Sequence, residues 1–83
     1  MFTFYWVRIL VRGSDTVRYV RTFRGVLDHF SSQEKKVIHM DVGYVKAWTL
    51  KTALTKPMGD PKLSLHFFKS HGNKTRDEIN ISD

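Results

Sequence analysis

Residues 15–31, DTVRYVRTFRGVLDHFS, decide the fold. Val17, Tyr19, Val20, Thr22 and Phe23 have the β-branched or aromatic character of a strand, which would make the segment the second arm of a hairpin. At 100° per residue, however, Tyr19, Val20, Phe23, Val26, Leu27 and Phe30 fall within an arc of roughly 120°, with Arg18, Arg21, Arg24, Asp28 and His29 on the opposite side. A strand would instead set Arg21 between Tyr19 and Phe23 on the buried face. The periodicity therefore predicts one amphipathic helix over 15–31, capped by Ser14 or Asp15. Gly25 inside it costs roughly 1 kcal/mol relative to alanine.

Outward from this segment the pattern has period two. Along Phe2 to Val11, Tyr5, Val7, Ile9 and Val11 share one face, and Phe4, Trp6, Arg8, Leu10 and Arg12 share the other. The first face is wholly apolar and is expected to form the core of a strand ended by Gly13 and Ser14. Downstream, Val37 to Val42 reads as a short strand ending at a turn or bulge near Asp41 and Gly43. Tyr44 to Thr55 makes a poor helical wheel, and Thr49, Thr52 and Thr55 lower helix propensity, so a strand is expected with Tyr44, Trp48, Leu50 and Leu54 aligned. Pro57 to Pro61 forms a hairpin loop. Leu63, Leu65 and Phe67 alternate with Ser64, His66 and Phe68 in a last strand. The expected fold is a small two-layer α+β domain over 1–69, an antiparallel-rich sheet of about four strands with one amphipathic helix in the order β-α-β-β-β. Residues 70–83 offer little to bury and are expected to form a flexible tail.

Composition sets the outer bounds. Eighty-three residues leave room for one core, which excludes large barrel and two-domain enzyme architectures. With no cysteine there is no disulfide, no thiolate nucleophile and no cysteine-ligated metal. The apolar stretch 1–11 is interrupted by Arg8 and is too short to cross a bilayer, so no membrane association and a cytoplasmic location are expected.

Charge is the strongest functional signal. Residues 1–69 carry 12 Lys+Arg against 5 Asp+Glu, and Arg8, Arg12, Arg18, Arg21 and Arg24 lie within seventeen residues. Guanidinium groups engage phosphate bidentately and stack on rings. A non-enzymatic nucleic-acid-binding accessory protein is the first expectation, with those five arginines as phosphate contacts, Trp6 as the stacking residue and Lys35, Lys36, Lys46 and Lys51 adding diffuse attraction. The RNA-recognition and KH signatures are absent, and a solvated polar helix face would carry arginines too. If a lone helix left one sheet face uncovered, the same aromatics and arginines would instead suit a protein interface. The alternative is thus a small interaction or inhibitory module of the phage- or plasmid-accessory type, binding an acidic protein surface or self-associating as a homodimer. The bland alternative to base stacking is that Trp6, Trp48 and Phe4 fill a second core or a dimer interface.

Catalysis has the least support. His29, His39, His66 and His71 follow no metal-ligand or nucleophile motif, although His39 and Asp41, two apart on a strand, would share a face. Asp15, Asp28, Glu34, Asp41 and Asp60 are too dispersed for an oxygen-ligand site. No cofactor, metal or catalytic residue is expected.

Overall fold

The computed structural model describes residues 1–71. The chain runs β1 (Phe2–Val11), β2 (Ser14–Val20), α1 (Phe23–Gln33), β3 (Val37–Ala47), α2 (Leu50–Thr55), β4 (Leu63–Ser64) and α3 (Leu65–His71). The strands form one antiparallel sheet in the order β2-β1-β3-β4. The fold is therefore a small α+β domain built on a four-stranded antiparallel sheet, as the sequence pattern implies. Its element order is β-β-α-β-α-β-α rather than β-α-β-β-β. The tail expected over 70–83 lies outside the described residues beyond His71.

β1 is the central organiser because both of its faces are apolar. Tyr5, Val7 and Ile9 join Phe23, Val26, Phe30, Met40, Val42 and Phe68 in a first core under α1 and α3. Phe4 and Trp6 point the other way and form a second core with Val45, Ala47 and Ala53, closed by α2 and by Met58. Fully burying a side chain of the size of Phe30 or Phe68 contributes about 1.5–3 kcal/mol, so the first core dominates the packing energy.

The double-sided sheet explains why 15–31 is not one helix. Residues 14–20 pair with β1 from Val11↔Ser14 to Tyr5↔Val20, through a two-residue turn at Arg12 and Gly13. At the end of that strand Tyr19 packs on the second core and its neighbour Val20 on the first. Adjacent apolar residues satisfy a strand when both faces are buried, whereas the helical arc requires only one buried face. The chain then bends at Arg21, so neither Arg21 nor Phe23 lies in β2 and no arginine is buried between Tyr19 and Phe23. Thr22 is the N-cap of α1, extended at φ −128° and ψ 153°, with its hydroxyl accepting from the Gly25 amide at 3.0 Å. Gly25 is accommodated because a Cβ there would come within 3.2 Å of the Val20 Cβ, where the helix start rests on β2.

Four further expectations are corrected. β3 runs unbroken through Gly43, which faces the Trp6 indole and makes no turn: a Cβ on Gly43 would lie 2.5 Å from Trp6 Cζ2. The irregularity falls instead between Leu10 and Val11, which pair with His39 and Val37. Residues 50–55 are helical because the threonines serve as caps. Thr49 Oγ1 accepts from the Thr52 amide at 3.1 Å, and Thr55 Oγ1 donates to the Thr52 carbonyl at 2.7 Å. Pro57 to Pro61 consequently links a helix to β4 rather than two hairpin strands. Only Leu63 and Ser64 of the last expected strand are extended. From Leu65 the chain is helical, which places Phe68 5.4 Å from the Phe30 ring and 6.3 Å from Phe23.

Candidate functional site

The strand and bend assignments distribute the five arginines over separate surfaces. Arg8 stands in the middle of the sheet face that carries the second core. There its guanidinium grips Asp15 through Nε at 3.0 Å and Nη2 at 2.6 Å. That bond raises the Arg8 pKa, and it holds the Asp15 carboxyl below its ordinary value. Arg12 is at the hairpin turn. Arg24 is on α1, its Nε 3.2 Å from Asp28 one helical turn on. Arg18 leans from β2 toward α1, with Nη1 3.3 Å from His29 Nδ1. Burial, and then the Arg18 charge, lower the His29 pKa. Arg18, Val20, Gly25, Asp28, His29 and Ser32 line a shallow cleft of about 360 Å³ between β2 and α1. Arg12 and Arg21 have no carboxylate partner among the described residues. The expected common face of Arg18, Arg21 and Arg24 does not form, because these residues occupy a strand, a bend and a helix.

Trp6 is 2% exposed, and its indole N–H donates to the Met58 carbonyl at 2.9 Å. Its faces are sealed by Gly43 and the surrounding second core, so Trp6 is a packing residue here and offers no face to a ligand. The accessible aromatics are two residues outside the expected site. Trp48, 68% exposed, follows the last residue of β3, and Phe2, 46% exposed, begins β1. Phe2 pairs with Ala47, which brings the two rings edge to face at 6.4 Å. Arg21 completes the corner, with its Cζ 4.5 Å from the Phe2 ring centroid and 4.9 Å from that of Phe4. This geometry combines an exposed indole with a guanidinium pre-oriented by stacking and, among the described residues, without a carboxylate partner.

The surroundings of this corner are basic and apolar. Lys51 is exposed on the first turn of α2, and the Lys56 ammonium donates to the Lys46 carbonyl at the end of β3. On the other face of the sheet, Lys46 donates to Thr3 Oγ1 at 2.6 Å, and its ammonium, like that of Lys62, lies within 6 Å of the Tyr44 ring. Met1, Leu50 and Leu54 are also exposed. Three acidic residues are engaged elsewhere: Asp15 with Arg8, Asp28 with Arg24 and Asp41 with His39. Lys35 and Lys36 follow α1 and do not belong to the corner.

One sequence signal would have located Trp48. Thr49 is a favoured N-cap residue ahead of the helix formers Leu50, Lys51, Ala53 and Leu54, which places the preceding tryptophan just outside a helix start. Phe2 and Arg21 carried no such signal, because only the pairing of β1 with β2 and β3 brings them together.

His39 and Asp41 do share a face, with Nε2 and Oδ2 2.9 Å apart. The β1–β3 register puts Arg8 opposite Asp41, so the pair joins a row of alternating charges on the sheet surface. No group of three or more His, Asp or Glu side chains converges to hold a metal among the described residues. No helix among them is long and apolar enough to cross a membrane.

The class these features define is a small α+β domain with an aromatic and basic corner at one end of its sheet. Comparison with protein-family models, curated proteins and solved structures finds no significant match.

Proposed function

We propose that the protein is a non-enzymatic nucleic-acid-binding accessory protein, and that the ligand is a single strand engaged at the Phe2–Arg21–Trp48 corner. The observation that carries this reading is Trp48, 68% exposed and edge-on to Phe2, beside an arginine with no carboxylate partner among the described residues. An accessible indole stacks on an unpaired base, and a neighbouring guanidinium takes the phosphate. The net charge of +6 supplies long-range attraction. Arg8 and Arg24, already neutralised by Asp15 and Asp28, are secondary contributors. Arg12 acts at a distance, since it sits about 30 Å along β1 from Phe2.

A second reading has its own support. Leu50 and Leu54, one helical turn apart on α2, are 47% and 57% exposed, and α2 starts two residues after the exposed Trp48. Clustered apolar exposure rimmed by cations suits an acidic protein partner.

Fluorescence-anisotropy titration with labelled single-stranded and duplex oligonucleotides at about 50 and 200 mM salt separates the two. The expected result is affinity for the single strand that weakens steeply with salt. Trp48→Ala is expected to lose about 1–3 kcal/mol of binding. Arg21→Ala is expected to reduce the salt slope by about one contact. Affinity no tighter than about 100 μM at the lower salt overturns the nucleic-acid reading and leaves the acidic protein partner.

A further inference from the structure

Among the described residues, the outer edge of β2 is a seven-residue strand edge with no strand paired to it. Of the described strands β2 pairs with β1 alone, on its inner side, from Val11↔Ser14 to Tyr5↔Val20. Among the described residues, no turn, loop or cap hydrogen bond reaches it. Ser14 to Arg18 are exposed, and Val17 stands at the centre of the strand with 43% of its surface in solvent. Natural edges are usually blunted by proline, lysine, a bulge or brevity. β2 contains no proline, glycine or lysine, and its register with β1 is unbroken. The opposite edge is built differently: the two-residue β4 covers only Asp41 and Val42 of β3 and then turns directly into α3, and the Lys62 amide and Lys56 ammonium donate to the β3 carbonyls of Val42 and Lys46.

We propose that β2 pairs antiparallel with β2 of a second copy, centred on Val17, to join the two four-stranded sheets across a two-fold axis. Three observations select this occupant and this register. The two edges of the sheet are unlike, so a contact using β2 twice closes as a dimer, whereas pairing β2 with β4 would propagate. A two-fold axis normal to the sheet also keeps each face on the same side, so residues can oppose one another only when both point to that face. Centring on Val17 overlaps all seven residues and sets Val17 against Val17, Thr16 against Arg18, Asp15 against Tyr19 and Ser14 against Val20. No like charges face each other. Shifting the centre to Arg18 opposes two guanidinium groups, and shifting it to Thr16 leaves the β2 residues Tyr19 and Val20 with no β2 partner. Finally, β2 carries one acid, Asp15, and one base, Arg18, in a chain of net charge +6. The seam is thus a surface where two strongly basic copies meet without local repulsion. It also covers the exposed Val17 with a β-branched partner.

This proposal is independent of nucleic acid and is tested without it. Sedimentation of the full chain from about 10 to 500 μM is expected to show a monomer–dimer equilibrium. Its association should strengthen with salt as the net repulsion is screened, the opposite sign to phosphate binding. The absence of native cysteine makes a register test direct. Opposed Cα atoms in an antiparallel pair lie about 4.5–5.5 Å apart, within disulfide range, so Val17→Cys is expected to form a covalent dimer under mild oxidation. Ser14→Cys, whose counterpart is Val20, is not. Val17→Lys and Val17→Glu are each expected to be monomeric, and mixing them restores a heterodimer, which also shows that both variants fold. A wild-type chain that stays monomeric throughout this range overturns the proposal. A dimer in which Ser14→Cys crosslinks as fast as Val17→Cys does so as well.

Discussion

The two tryptophans of this chain have opposite fates, and their surroundings explain why. Trp6 lies mid-strand opposite Gly43, with its ring over the one β3 residue that has no side chain and its N–H satisfied by Met58. Trp48 follows β3 just before the Thr49 cap, where the sheet has ended and α2 turns only Ala53 inward. Burial of an aromatic thus depends on whether the sheet supplies a floor for it, and hydrophobicity alone does not distinguish these two positions. An indole without that floor remains available to a ligand.

The contrast is most severely broken at its buried end. Trp6→Ala is expected to cost about 3–5 kcal/mol in urea unfolding, because it opens a cavity in the second core and leaves the Met58 carbonyl without its donor. A loss below 1 kcal/mol would mean that the second core is not a structural unit. Gly43→Ala, which adds a Cβ into the space of the indole, is expected to cost about 1–3 kcal/mol; Trp6 fluorescence should shift as the ring is displaced. At the boundary between the regions, Thr49→Ala is expected to remove about 1 kcal/mol by uncapping α2, and Thr49→Ser should restore most of it.

A gentler effect belongs to the cleft on the opposite face of the sheet. His29 is held below its ordinary pKa of 6.5 by burial and by Arg18. The unfolded chain therefore takes up a proton at higher pH than the folded one, so stability present above pH 6.5 declines as the pH falls through the folded value. His29→Gln is expected to flatten that part of the stability–pH curve. The smallest effect on folding is expected from Trp48→Ala, within about 0.5 kcal/mol of wild type, although the same change weakens oligonucleotide binding. Equal destabilisation by Trp6→Ala and Trp48→Ala would erase the distinction between the two indoles.

The sequence made parts of this arrangement legible. The alternation of Tyr5, Val7 and Ile9 identified β1 and the first core, and Phe4 and Trp6 were recognisable as candidates for a second one. The partition of 15–31 was not legible, because Tyr19 and Val20 satisfy a helical arc and a doubly buried strand equally well. Thr49, Thr52 and Thr55 misled for a related reason: β-branching disfavours helix interiors, yet a threonine at the N-cap starts a helix. Of the proposed contacts, Arg21 lies in the corner, Trp6 is buried, and Phe2 was not singled out.

By itself the sequence determined a small basic α+β domain without cysteine, a first strand with one wholly apolar face and another that mixes aromatics with arginine, and an excess of arginine near the start of the chain. These follow from composition and from a period of two, which are local properties of the chain. Only the tertiary structure decided where β2 ends and α1 begins, which tryptophan is sealed and which is exposed, and which arginines find a carboxylate. Each of those depends on residues distant in sequence, such as Trp6 with Gly43 and Met58, or Phe2 with Arg21 and Trp48, whose meeting is set by strand pairing.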